Sequence, residues 1–185
     1  MEKETKDYLH SFELKLTDRL VAIAHDKRFG SEHLYQSEDI EAVWEQITPA
    51  YMSDAVPNVA QYPTVAVAWA GYIGMALARW WDKDWTMVTS SNDVYAKLAS
   101  PRGFDEMDEY IVEQVLGYRL DTDTAQSIED LMRSMSQAAV DAIRYEQVEP
   151  QSELAFHVFA RAVRSIFRVG ASCQLYRMGY KWVKQ

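Results

Sequence analysis

From Ala55 to Ala78 the chain carries no charged side chain, and within this run Ala66, Ala70, Gly74 and Ala78 fall every four residues. On a helix that spacing makes one ridge with almost no side chain, so a second helix can approach its backbone closely. The alternation in Thr64-Val-Ala-Val-Ala68 would also suit a strand, but the length of the run and its Ala/Gly content select a helix. Pro57, Asn58, Gln61 and Pro63 break up the first part of the run and leave Thr64–Ala78 as its clean apolar stretch. Those 15 residues fall short of the about 20 that a membrane span needs. The predicted element is a buried central helix over Thr64–Trp81, preceded by a loop holding Pro57 and Pro63.

The rest of the chain also reads as helix. Gly and Pro number only 7 and 5 in 185 residues, which disfavours the turn-dense architectures of sandwiches and barrels. Leu9, Phe12, Leu16, Leu20 and Ile23 make one apolar stripe over about Thr5–Lys27, with Glu13, Lys15, Asp18 and Arg19 assigned to the wet side. Ser37 is a good N-cap for a second helix, whose buried face is Ile40, Val43, Trp44 and Ile47 and which Pro49 stops or kinks. Shorter helices follow at about Asn92–Ala99, capped by Ser91, and at about Asp105–Arg119. Thr124 opens another that runs to about Gln147, and Pro150 starts a last helix to about Tyr180. The expectation is a single all-α domain over residues 1–185, a bundle or array of about six helices.

Charge narrows the partners. Lys+Arg is 19 and Asp+Glu is 28, for a net of −9. Residues 1–149 hold 13 basic and 27 acidic side chains, whereas 150–185 hold 6 and 1. An acidic body repels phosphate backbones and anionic lipid surfaces, so neither nucleic acid nor membrane is an expected partner. Cys173, the single cysteine, lies in an apolar stretch and reads as a small buried hydrophobe, which suits a reducing, cytoplasmic setting. The N-terminal Met-Glu-Lys-Glu-Thr-Lys lacks the apolar run of a signal peptide.

No phosphate-binding loop, nucleophile elbow, Cys-x-x-Cys or His-Glu-x-x-His occurs. Glu153 and His157, at i and i+4 on the last helix, form a weak candidate for a metal pair. With four His and 28 acids, about 2.4 such helical pairs arise by chance, so no metal or other cofactor is assigned. His25-Asp26 is similar to the adjacent ligand pair of HD-type phosphohydrolases. That family also has a His well upstream, and here only the nearby His10 is available. Arg28-Phe-Gly-Ser-Glu-His33 resembles the Arg-x4-His of HEPN-type helical RNases over those six residues alone. Phe29 stands where that family prefers a polar residue, and Gly30 interrupts the helix the motif should open. Neither resemblance assigns the chain to a family.

Two constellations remain. Trp80, Trp81 and Trp85 crowd the end of the central helix. Two indoles one residue apart diverge by about 100°, so at least one belongs at a rim, the usual place of interface tryptophans. On the last helix, His157, Arg161, Arg164 and Arg168 form a single basic stripe on an otherwise apolar circumference. Such arginines need partners. The stripe either pairs with an acidic stripe such as Asp105/Glu109/Glu113, or is a solvated face, or holds an anionic ligand with its four basic residues. Three functions follow in order. The first is a non-catalytic protein-interaction module that self-associates, as a homodimer with the Trp cluster as candidate interface. The second is a binder of small anions. The third is an enzyme with a His/carboxylate metal site.

Overall fold

The computed structural model describes residues 1–182. The chain is all-α, with 76% of the described residues helical and no strand among them. The helices are α1 (Lys3–Asp26), α2 (Glu38–Val59), α3 (Pro63–Lys83), α4 (Trp85–Thr89), α5 (Val94–Ala99), α6 (Met107–Tyr110), α7 (Asp123–Tyr145) and α8 (Glu153–Arg177). That is eight among the described residues where about six were expected; the expected segments cover all but α4, which at five residues is too short for an apolar period to register.

Four long helices build the frame. α8 packs on α3 and α1, and α7 closes the ring against α3 and α1. α1 and α8 run in the same direction: Thr17 donates to Ser165 at 2.9 Å, and further along Gly30, just past the end of α1, lies beside Cys173. α1 and α7 run oppositely, tied near one end by the Tyr8 hydroxyl donating to Glu146 at 2.8 Å. The predicted close approach is made by α3 and α8. A Cβ on Gly74 would meet the Phe167 carbonyl and the Ala171 amide, and one on Gly170 would meet the Gly71 carbonyl. The two backbones touch there, and α2 lies over this contact with Trp44 stacked on Phe167 at 4.4 Å.

Several expected boundaries are corrected. Pro49 does not end α2, and Pro57 lies inside it and not in a loop. Each proline removes one backbone bond, to the carbonyls of Glu45 and Ser53, but all four residues lie on the exposed face where water serves those carbonyls. Tyr51 and Ala55, buried on the opposite face, hold the helix beyond Pro49, and the Tyr51 hydroxyl donates to the Ala66 carbonyl at 2.7 Å. The predicted Asp105–Arg119 helix is a 3-10 turn, the short α6 and a π-helical turn over Ile111–Val115, ending at Gly117 with φ +83°. α5 is capped by Asp93 and not by Ser91, through a 3.0 Å bond from the Ala96 amide. α8 starts after Ser152, whose hydroxyl accepts from Ala155, so Pro150 lies in the preceding turn. No described helix is long and apolar enough to cross a membrane.

Candidate functional site

The arginine stripe closes on one carboxylate, Glu13 of α1. Arg164 grips it with both ends of its fork, Nε to Oε1 at 2.6 Å and Nη2 to Oε2 at 2.6 Å. Arg161 donates to Oε2 at 2.7 Å and Arg168 to Oε1 at 2.8 Å. Four N–H donors on two oxygens fill the hydrogen-bonding capacity of a carboxylate. Arg168 also reaches Glu41, in the first turn of α2, through its Nε at 2.8 Å. Ser37 caps that turn and so positions Glu41 over α8. Glu13 is only 3% exposed, so its assignment to the wet side of the first helix is corrected. It lies four residues after Leu9 and seven before Leu20, on the edge of the buried stripe that faces α8. The Asp105/Glu109/Glu113 stripe is not the partner, and Glu113 is taken by Arg102.

Burial alone would push the Glu13 carboxyl up. The hydrogen bonds from Arg164 and Arg161 and the charges of Arg164 and Arg168 more than reverse this, so it titrates below the ordinary glutamate value. Three cations thus face two carboxylates. Beside them is a cavity of about 390 Å3, whose charged and titratable lining is Arg164, Arg168, His10, Glu13, Asp18 and Glu32 and whose apolar lining is Leu14, Val21 and Leu34. His157 continues the stripe in sequence but turns to Glu153, Nε2 to Oε1 at 3.6 Å, and does not reach Glu13. Among the described residues, no three His, Cys, Asp or Glu side chains gather as a metal site requires.

Trp80, Trp81 and Trp85 are all partly buried against the core. Trp81 lines a groove of about 690 Å3 completed by Tyr35, Tyr180 and Trp182. Its indole N–H donates to Asp39 at 3.2 Å, and the Tyr180 hydroxyl donates to Asp82 at 2.7 Å, so two carboxylates brace the aromatic walls. Ser172 of α8 accepts from the Tyr35 amide at 2.8 Å and anchors the segment between α1 and α2 that forms one side of the groove. Tyr35 was legible only as a packing anchor of the turn after the first helix, and Tyr180 and Trp182 were not singled out as site residues; both follow the last helix, and no local pattern links them to Trp81.

The remaining single residues have local roles. His25 Nδ1 lies 3.2 Å from the Gly30 carbonyl at the end of α1. Arg28 sits in a turn at φ 64°, and His33 stacks on Trp182 at 3.8 Å. Cys173 is buried, and burial pushes its thiol up to about 12, so it is no nucleophile at neutral pH. No family model, curated protein or solved structure matches the chain.

Proposed function

We propose that this chain is a non-catalytic helical interaction module that pairs with its own copies and presents the Trp81 groove to a protein partner. The aromatic groove is the observation that carries the reading: four rings line it, and Tyr180 and Trp182 remain 40% and 43% exposed. Such rings bury a large area at low entropic cost, and an extended proline-containing segment docks on walls of this kind. Asp39 and Asp82, at the backs of the walls, favour a basic side chain in that segment. The test is anisotropy of labelled proline-rich peptides carrying Arg or Lys, titrated with the protein. Saturable binding that is lost in Trp182→Ala and Tyr180→Ala supports the groove. Binding unchanged in both variants, or no binding across the panel, sinks it.

The arginine cluster supports one second reading. Its three cations outnumber the two carboxylates they hold, and two of them, Arg164 and Arg168, line the cavity of about 390 Å3, so a small anion that competes with Glu13, Asp18 and Glu32 for these guanidiniums is the alternative occupant. A melting-temperature screen with phosphate, sulfate and citrate at matched ionic strength tests it. A rise in wild type that is absent in Arg168→Gln supports anion binding, and equal rises in both discard it.

A further inference from the structure

Between α1 and α7 lies a second groove, of about 500 Å3. Its floor is apolar: Phe12 and Leu16 are buried and Ala142 is half-buried. At its edge stands Tyr145, 84% exposed, the most exposed large apolar side chain among the described residues. An aromatic ring left in water beside an apolar trough is unusual, since Tyr is among the residues most often used to anchor interfaces.

The charges along the groove are ordered. Lys15 and Arg19, four apart on α1, lie toward one end, and Asp141 and Glu146 of α7 lie toward the other. The order follows from the opposed helix directions, because Tyr8 and Glu146 share one end and α1 runs from there toward Arg19. The Tyr8 hydroxyl stays a neutral donor, pushed up to about 12 by burial and by its bond to Glu146, and holds that carboxylate at the acidic end. Lys15 and Arg19 make no ion pair among the described residues. A groove positive at one end and negative at the other is complementary to itself when reversed. A two-fold axis performs that reversal, and it satisfies both ends at once because a two-fold contact is made twice.

We infer that two copies of this chain pair through the α1/α7 groove, related by a two-fold axis, with Lys15 and Arg19 of each copy facing Asp141 and Glu146 of the other. Each Tyr145 then lies on the other copy's Phe12–Leu16 floor, beside its Lys15 and Arg19. This rests on the self-association part of the proposed function and gives it a location away from the tryptophan cluster, leaving the Trp81 groove open to a different partner.

The experiment is sedimentation equilibrium in the high micromolar range on wild type, Tyr145→Ala and two charge-reversed forms, K15E/R19E and D141K/E146K. Wild type is expected as a dimer. Each variant should raise the dimer dissociation constant by about tenfold or more, since each reversed groove repels its own copy and Tyr145→Ala removes the aromatic anchor. A one-to-one mixture of the two reversed forms should restore a dimer, because one groove is then wholly acidic and the other wholly basic. If D141K/E146K loses its helical spectrum, K15E/R19E and Tyr145→Ala decide alone. A monomeric wild type overturns both this inference and self-association. A dimer that persists in the variants overturns the location only. Monomeric variants whose mixture stays monomeric overturn the reversed charge register.

Discussion

Arg133 on α7 and Arg164 on α8 both hold carboxylates at short range, in opposite settings. Arg133 meets Glu129 at 2.8 Å and Asp130 at 3.3 Å on the surface of its own helix, and its side chain is 66% exposed. Arg164 meets Glu13 at 2.6 Å across two helices, and Glu13 is almost sealed from water. The distances differ little, yet the energetic consequences differ widely. In water, an exposed pair exchanges one set of good contacts for another, and its two long side chains lose rotamer freedom in the bargain. A buried carboxylate has no such exchange open to it. If its partners go, it stays desolvated and uncompensated, and if it goes, three guanidiniums are left crowded together. Burial therefore decides what an ion pair contributes here, and distance does not.

The contrast can be broken most sharply at its centre. Glu13→Ala should destabilise the fold by about 3–5 kcal/mol. At about 2–4 °C per kcal/mol for a chain of this size, the thermal midpoint falls by roughly 6–20 °C. Thermal and urea melts measure it, and a loss under about 1 kcal/mol would mean that the cluster is well hydrated. Arg164→Leu should cost less, about 1–3 kcal/mol, because Glu13 keeps Arg161 and Arg168.

Acid gives a third, smaller handle. Glu13 titrates lower in the folded protein than in the unfolded chain, so its stabilisation is complete above the ordinary glutamate value of about 4.3 and is lost as the pH falls from there through the folded value. Below about pH 4, wild type should therefore lose stability more steeply than Glu13→Gln, by up to about 1.4 kcal/mol per pH unit. Parallel pH profiles for the two proteins would refute this. At the bottom of the scale, Arg133→Ala should change stability by about 0.5 kcal/mol or less, and 0.5 M salt should erase the difference.

The same contrast explains what could be read in advance. Periodicity reports which face of a helix is wet, and it carried most of the fold: the α1 stripe, the Ala/Gly ridge of α3 and most of the apolar circumference of α8 pack as their spacing requires, with Phe156, 48% exposed, the exception. It misled at Pro49 and Pro57, where a proline on the solvent face costs a helix only a carbonyl that water can serve. It also ran past Gly117, because a π-helical turn keeps an apolar face while abandoning the 3.6 period. Arg161, Arg164 and Arg168 were legible as charges on a buried helix that must be matched. Glu13 was not, because a single acid at the edge of an apolar stripe looks the same whether it faces water or three arginines 148 to 155 residues away. The aromatic groove has the same origin: Trp81 marked a rim, but its walls come from both ends of the chain.

That Glu13 and Arg164 are 151 positions apart fixes an order of events during synthesis. α1 leaves the ribosome before α8, which follows about 8–30 s later at about 5–20 residues per second. For that interval Glu13 is solvated, and the Leu9–Leu16 face of α1 has no α8 to cover it. The nascent chain must be kept from sticking to its neighbours while α1 waits for α8. α8 then delivers both the apolar cover and the positive charge, so a chain cut short before Arg161 has neither.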